Sequence, residues 1–241
     1  MAVAPRARPG PIVGAVLAPG LVTSKVRELY DYDVLRSLSE PTMFVVRLGE
    51  PTLVLGASQS IEMLDSKKLD SLVLRRRRGG GGLVLLQPGD LWIDWWIPAD
   101  DARWSGDVRA SSLQAGGWWR DVLAERVEGD VTMHEGSLEG DPTHRVVCFA
   151  GRGPGEIFVD ARKAVGLAQW RVREGIFVTT VLHAGPSDAV VAMLADPPIG
   201  LRESLAHHDT SSLALRDPEE LIVALHHAGG SWLERQLFLI S

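Results

Sequence analysis

Four arginines followed by four glycines form the segment of this chain best suited to bind a ligand. The run extends from Arg75 to Gly82 without interruption. A guanidinium group can bind a phosphate through two parallel hydrogen bonds, and glycine lets backbone N–H groups approach a ligand closely. The combination predicts a loop that holds a phosphate or a nucleotide. A solvated basic turn on a flexible hairpin is the alternative.

The spacing within this segment excludes two common nucleotide-binding loops. No Lys-Ser or Lys-Thr pair follows the glycines, so the segment is not a Walker loop. The GxGxxG spacing and the helix that opens after it in a Rossmann fold are also missing.

Lys163 is a second candidate, because it is one of only four lysines in a chain with 21 arginines. It begins the sequence Lys-Ala-Val-Gly-Leu-Ala-Gln, in which the small residues Gly166 and Ala168 would let a ligand come close. The single cysteine, Cys148, lies earlier in the chain between apolar neighbours. From its neighbours alone, it is predicted to be a small buried hydrophobic residue.

Together these segments resemble the biotin/lipoate protein ligase superfamily, specifically the catalytic domain of its lipoate–protein ligase A branch. That branch carries an Arg-Arg-x-Gly-Gly-Gly-x-Val loop and a later Lys-x-x-Gly-x-Ala-Gln strand. The matching residues here are Arg77, Arg78, Gly80, Gly81, Gly82 and Val84, then Lys163, Gly166, Ala168 and Gln169. The Gly56–Gln59 turn and the Gly89–Asp90 pair agree with the flanks of the family pattern.

The resemblance implies an enzyme that activates lipoate or octanoate with ATP and Mg²⁺ as an acyl-adenylate and transfers the acyl group to a lysine of a carrier domain. Lys163 would stabilise the charge that develops on phosphate and carbonyl oxygens, and Arg77 would hold phosphate. The implied nucleotide and acyl site comprises Arg77, Arg78, Gly80, Gly81, Gly82, Leu83, Val84, Leu85, Asp90, Gly166, Ala168 and Thr180. The implied partners are lipoyl-carrier domains of the dehydrogenase-complex E2 or glycine-cleavage H type. The resemblance also allows a separate accessory subunit as a partner.

Two alternatives to this ligase function remain open. By resemblance to the octanoyltransferase branch of the superfamily, Cys148 would take an octanoyl group from an acyl carrier protein and pass it to the carrier lysine without ATP. The chain also departs from the ligase pattern, since Leu86–Gln87 replaces a His-Asp pair and Val178–Thr179 replaces a His-Gly pair. These replacements keep open a non-catalytic subunit that binds a nucleotide or an acyl group.

The elements that must position these residues are predicted to mix strands and helices without a regular βαβ repeat. Strands are predicted over Met43–Arg47, Thr52–Gly56, Leu72–Arg76, Leu83–Gln87, Leu91–Ile97, Arg145–Phe149, Glu156–Asp160, Gln169–Arg173 and Ile176–His183. Helices are predicted from Ser24 to just before Pro41 and over Ser60–Leu72, Arg109–Arg126, Ser187–Leu194 and Pro218–His227. With the resemblance, this gives an α+β fold of the class II synthetase-like type, in which helices flank a central, mostly antiparallel sheet.

Composition sets the expectations for the whole chain. Its 241 residues are 45% hydrophobic and 23% charged, which is typical of a globular protein with a sizeable core. Residues 1–20, rich in Pro, Gly and Ala, are predicted to form a flexible arm. Residues 21–241 are predicted to form one catalytic domain without a C-terminal accessory domain. Six of the eight tryptophans lie between Trp92 and Trp119, where core packing is favoured over an acyl tunnel for most of them.

Charge and cysteine content restrict the partners and the compartment. The net charge of −6 argues against nucleic acid as a partner, and no uninterrupted apolar run is long enough to cross a membrane. A single cysteine suits the reducing cytoplasm. The histidine pairs His207–His208 and His226–His227 lack the i, i+4 spacing of metal ligands on a helix, so no metal site is predicted.

Overall fold

The computed structural model describes residues 26–69, 73–140, 142–183, 185–206 and 217–239. The predicted arm over residues 1–20 lies outside them, and the division into an arm and one catalytic domain stays a prediction. The strands are β1 (Arg27–Glu28), β2 (Thr42–Leu48), β3 (Thr52–Leu55), β4 (Val73–Arg76), β5 (Val84–Leu86), β6 (Leu91–Pro98), β7 (Val131–Met133), β8 (Ile157–Val159), β9 (Arg162–Val172), β10 (Gly175–Leu182) and β11 (Leu233–Leu239). The α-helices are α1 (Tyr32–Arg36), α2 (Val108–Ala124), α3 (Leu201–Ala206) and α4 (Pro218–Ala228).

The larger of two sheets has seven strands in the order β11-β2-β6-β10-β9-β8-β7. All neighbouring strands run antiparallel except β11 and β2, which are parallel. Every residue of the central strand β6 is buried, which explains why its sequence is an almost continuous apolar run. The predicted α+β fold with a central, mostly antiparallel sheet is confirmed.

Helices α2 and α4 cover one face of this large sheet. Trp95 of β6, Trp119 of α2 and Leu225 of α4 belong to the same core. Both helices begin after an aspartate, Asp107 or Asp217, whose carboxylate accepts backbone N–H groups of the first turn. The helices predicted at these two places are confirmed to within two residues at each end. In the part of the chain that the structure describes, no helix is both long and apolar enough to cross a bilayer.

The other face of the large sheet packs against a smaller sheet that the sequence did not predict as a separate layer. Its strand order is β1-β4-β3-β5, with the first three strands parallel and β5 antiparallel to β3. Trp92 of the large sheet and Val54 and Leu86 of the small sheet share the core between the two layers. The far side of the small sheet packs on α3 through Leu205.

The predicted helix from Ser24 towards Pro41 is mostly wrong. Only the five residues of α1 are helical, and Asp31 caps them. The segment before them forms β1, whose backbone pairs with that of β4. This long-range pairing overrides the helical spacing of the apolar residues. Ser24 itself lies outside the described residues.

The predicted Ser60–Leu72 helix is also wrong from its first turn to Leu69, and its last three residues lie outside the described residues. Ser60 caps a 3-10 turn over Ile61–Met63, as its residue type suggests. The chain then leaves the helix because Leu64 forms a bridge with Leu194, and their flanking backbone groups bond to each other.

The predicted strand over Arg145–Phe149 is replaced by two 3-10 turns, Pro142–Arg145 and Cys148–Ala150. Between them, Val147 makes a single parallel bridge to Leu83, so the segment touches the sheet without joining it. The predicted Ser187–Leu194 helix is a 3-10 helix ending at Met193. Elements β7, α3 and β11 were not predicted.

Candidate functional site

The arginine–glycine segment leads from β4 into β5 through a loop that packs tightly on its neighbours. A Cβ atom on Gly82 would lie 2.7 Å from the backbone nitrogen of Val147, and one on Gly56 would lie 2.0 Å from the carbonyl oxygen of Gly81. Gly81 also has a φ of +96°, which other residues rarely adopt. In contrast, nothing lies within 4 Å of a Cβ on Gly80. The loop therefore needs glycine at its base and leaves Gly80 open at its tip.

The two motif arginines are bound within the protein. Arg77 is 4% exposed, and its guanidinium donates hydrogen bonds to the carbonyl oxygens of Gly80 (3.1 Å) and Gly82 (2.6 Å). Arg78 forms a two-pronged ion pair with Glu28, with both N–O distances at 3.1 Å. Arg77 thus shapes the glycine loop from inside, whereas Arg78 ties the start of the loop to β1. Phosphate binding by Arg77 stays a prediction.

Lys163 lies in β9 with a buried ammonium group. Its Nζ lies 2.7 Å from Oε2 of Glu156 and donates to the carbonyl oxygens of Cys148 (2.8 Å) and Gly151 (3.0 Å). An ammonium group has three N–H donors, so these acceptors match all three. Glu156 is equally buried and also accepts the backbone N–H of Gly153 at 2.6 Å. Nothing in the local sequence pattern indicates Glu156, because its partner lies across the β8–β9 hairpin.

A small apolar cavity of about 30 Å³ lies between the glycine loop and β9. Its wall includes the predicted residues Arg77, Val84, Cys148, Gly166 and Ala168. Leu86 and Trp92 contribute further apolar surface. This space holds one or two water molecules, since about 10–15 Å³ is enough for one, so an acyl chain would need the side chains of the wall to move apart. A mostly aliphatic and aromatic wall favours an apolar chain over a polar ligand.

Thr180 does not line this cavity. Its hydroxyl is fully buried, donates to the carbonyl oxygen of Ile93 (2.5 Å) and accepts the indole N–H of Trp119 (2.8 Å). Thr179 lines the cavity instead, because consecutive residues of a strand point to opposite faces. Thr180 lies in the strand predicted over Ile176–His183, and its role in ligand binding stays a prediction.

Three other predicted site residues lie behind the cavity wall. Leu83 and Leu85 belong to the core of the small sheet. The carboxylate of Asp90 contacts Nδ1 of the buried His183, with both oxygens at 3.0 Å, and accepts the backbone N–H of Gln87 at 2.8 Å. Asp90 therefore fixes the turn between β5 and β6.

The structure is similar to solved lipoate-protein ligases. Lipoate-protein ligase A bound with ATP matches with a TM-score of 0.64 at 19% identity, over 86% of this chain and 81% of that chain. The bi-partite lipoate protein ligase of Thermoplasma acidophilum matches with a TM-score of 0.63 at 18% identity, over 86% and 79%. P. falciparum LipL1 in complex with lipoate has a TM-score of 0.54 at 15% identity, over 83% and 54%. This chain has the lipoate-protein ligase fold.

The match confirms the resemblance read from the two motifs at the level of fold. No family profile and no curated protein matches the sequence. The likeness is thus carried by the arrangement of the elements.

Within this lipoate-ligase fold, the two predicted motifs meet at one cavity. Arg77 and Val84 come from the glycine loop and β5, and Gly166 and Ala168 come from β9. Cys148 completes the wall from the turn between them and is half-buried. The arrangement brings an apolar wall, one thiol and, behind Phe149 and Gly166, one buried ammonium group close together.

Asp94 is a buried acid behind the cavity wall that the motifs did not indicate. Its carboxylate accepts hydrogen bonds from the hydroxyl of Tyr30 (2.5 Å), the indole N–H of Trp92 (2.7 Å) and the backbone N–H of Thr180 (3.1 Å). Burial raises the pKa of Asp94 from 3.8 to about 8. Burial, with Asp94 nearby, also raises the pKa of Tyr30. A lone aspartate inside an apolar strand was the sequence feature that could have revealed it.

Most of the tryptophans between Trp92 and Trp119 pack in the core, as the sequence favoured. Trp95, Trp96 and Trp119 are buried in the cores around the large sheet. Trp92 lies in the core and also lines the cavity. Its indole is oriented by the hydrogen bond to Asp94, which links a buried polar group to the shape of the cavity.

Proposed function

We propose that this chain attaches a medium-chain acyl group, lipoyl or octanoyl, to a lysine of a carrier domain. The observation that carries the proposal is the apolar cavity walled by the glycine loop on one side and by β9 on the other. Burial of each methylene of an acyl chain there contributes about 0.8 kcal/mol. Similarity to ligase structures described with lipoate and with ATP supports the same substrates.

The first route is an ATP-dependent ligation. A carboxylate oxygen of the acid attacks the α-phosphorus of ATP, the bond to pyrophosphate breaks, and an acyl-adenylate forms. The carrier lysine amine then attacks the carbonyl carbon, the bond to AMP breaks, and the amine loses a proton. Lys163 stabilises the negative charge on the phosphate and carbonyl oxygens in this route. Gly80, open at the tip of the glycine loop, leaves room for a phosphate beside the guanidinium of Arg77.

Magnesium would accompany ATP on the phosphates rather than in a protein cage. Mg²⁺ usually binds substrate phosphates together with only one or two protein carboxylates. Within the described ranges, no group of three His, Cys, Asp or Glu side chains could hold a metal ion. Among the buried carboxylates near the cavity, Glu156 is paired with Lys163. Magnesium would therefore reach the site with the phosphates of ATP.

A specific observation favours a second route that uses no ATP. Cys148 lines the cavity, and its Sγ would lie 3.5 Å from a Cβ on Gly81, so the thiol sits against the glycine loop. The Cys148 thiolate would attack the thioester carbonyl of an acyl carrier protein and release the carrier thiol. The lysine amine of the acceptor domain would then displace the cysteine sulfur and lose a proton.

The acceptor in either route is a lipoyl domain of the E2 or glycine-cleavage H type. One similar structure is a bi-partite ligase described with its E2 lipoyl domain, which supports both this acceptor and a separate accessory subunit. We place the reaction in the cytoplasm, where Cys148 would stay reduced.

Pyrophosphate exchange and intact-mass analysis separate the routes. The ligase route requires ATP–pyrophosphate exchange with lipoate or octanoate but not with biotin. That exchange should be lost in Lys163→Ala and retained in Cys148→Ser. The thioester route requires no exchange, but an octanoyl adduct should form on Cys148 after incubation with octanoyl acyl carrier protein and be absent from Cys148→Ser. If folded protein gives neither exchange nor adduct, the enzyme proposal is wrong and a binding subunit remains.

A further inference from the structure

Lys163 and Glu156 form an ion pair that is buried on both sides. Their side chains are 1% and 6% exposed, and the two charged atoms lie 2.7 Å apart. Removing each charge from water costs several kcal/mol, which the attraction within a pair often fails to offset. Stability is therefore a weak explanation for this pair.

Glu156 is held from two sides, so its carboxylate has a fixed direction. Oε2 accepts the backbone N–H of Gly153, and Oε1 accepts that of Leu167 at 3.4 Å. Gly153 lies in the turn before β8, and Leu167 lies in β9 and lines the cavity. The carboxylate thus ties the ammonium of Lys163 to the strand that forms the cavity wall.

The ammonium lies directly behind that wall. Nζ of Lys163 is 5.2 Å from the ring centroid of Phe149, and a Cβ on Gly166 would lie 3.8 Å from Cε of Lys163. Phe149 and Gly166 both line the cavity, as does Cys148, whose carbonyl oxygen accepts from Nζ. Three protein acceptors already match the three N–H groups of the Lys163 ammonium. A ligand oxygen that binds this ammonium must therefore replace one of these acceptors.

We propose that Glu156 is a positioning residue for Lys163, holding the ammonium at the cavity wall while a ligand oxygen replaces a backbone carbonyl. The charged hydrogen bond to the carboxylate is stronger than those to the neutral carbonyl oxygens of Cys148 and Gly151, so a carbonyl is the partner that exchanges. The inference rests on the proposed function, since it concerns how Lys163 reaches the acyl group at the same site.

Glu156→Gln tests this role, with the exposed Glu139→Gln as the matched control. Glutamine keeps the size of the side chain and one acceptor but removes the charge. We expect kcat for acyl transfer to a lipoyl domain to fall by about tenfold or more while KM for the acyl donor changes by less than about threefold. In a Lys163→Ala background, Glu156→Gln should change the rate by less than about twofold, because both residues act through one ammonium. Additive losses in the double variant would overturn the proposal.

Amine labelling gives a readout that does not depend on activity. Acetylation followed by peptide mass spectrometry should show Lys163 protected in the wild-type protein, relative to the exposed Lys67. We expect Glu156→Gln to raise Lys163 labelling severalfold, because the ammonium loses its charged anchor, and Glu139→Gln to leave it unchanged. Unchanged labelling in Glu156→Gln would overturn the positioning role even in an active enzyme. Raised labelling in a protein that transfers no acyl group would support the positioning role and contradict the proposed function.

Discussion

Lys163, Arg77 and Arg78 each carry a positive charge that other groups of the protein already bind. Lys163 is paired with Glu156, and Arg78 with Glu28. Arg77 donates to carbonyl oxygens of its own loop. Charged groups held in this way are oriented before a ligand arrives, which favours stabilisation of charge that develops during a reaction. Ligand binding at this site therefore exchanges hydrogen-bond partners instead of ordering free side chains.

The buried Asp94 gives the protein a pH-dependent stability. An aspartate carboxyl group ordinarily has a pKa of 3.8, and burial raises the pKa of Asp94 to about 8 in the folded protein. Between these two pH values the folded protein keeps a proton that the unfolded chain has lost. The stabilisation from this proton is fully present below the lower value and is lost as the pH rises through the higher one. We expect the thermal midpoint of the wild-type protein to fall between about pH 4 and about pH 8 and to change little from Asp94 above that.

Asp94→Asn should show a shallower fall, because its amide stays neutral and can donate to the hydroxyl of Tyr30. Thermal unfolding followed by circular dichroism across this pH range measures the difference. The exposed Asp100→Asn serves as the control and should keep the wild-type slope. A slope in Asp94→Asn as steep as in the wild type would contradict the assignment.

Among the elements, those with local requirements could be predicted from the sequence. The glycine loop was predictable from its four consecutive glycines. The structure gives the reason for glycine there, because close backbone packing admits no side chain at Gly82. Helices α2 and α4 were predictable because Asp107 and Asp217 cap them. The strand that contains Lys163 was implied only by the family resemblance, since the residue pattern predicted a strand over Gln169–Arg173, whereas β9 extends from Arg162 to Val172.

Elements that depend on distant partners could not be predicted. Strands β1 and β11 are held by parallel pairing with β4 and β2, for which no local pattern exists. Which of Thr179 and Thr180 faces the cavity could not be predicted, because the face of a strand residue is set by the register between β10 and β6. Glu156 was missed because its function depends on a contact across the β8–β9 hairpin.

The packing of the glycine loop predicts a contrast between two alanine substitutions. In Gly82→Ala the new Cβ would meet the backbone of Val147 and Cys148 at 2.7 and 2.8 Å, so the loop or the 3-10 turn must move. We expect Gly82→Ala to lower the free energy of unfolding by about 1–3 kcal/mol and Gly80→Ala, which meets nothing, to change it by less than about 0.5 kcal/mol. Urea denaturation of both variants measures this, and equal effects would show that the loop is not packed as described.

At the scale of the whole molecule, the cavity lies between the two sheets. Val54, Val84 and Leu86 come from the small sheet, and Trp92 and Val181 come from the large sheet. An acyl chain in the cavity would contact both layers at once, and binding to the folded state alone would stabilise their packing. A ligand bound in this cavity would therefore join the two halves of the core.

The most direct test of acyl transfer is the mass of a lipoyl domain after incubation with this protein. Lipoate or octanoate with ATP and Mg²⁺, and octanoyl acyl carrier protein without ATP, should be supplied as the two kinds of acyl source. Ala168→Phe, which fills the cavity, should slow the reaction, and Ala102→Phe at an exposed position should not. We expect one lipoyl or octanoyl group on the lipoyl domain from one of the two kinds of source. A lipoyl domain that stays unmodified with both sources, in the presence of folded protein, would contradict it.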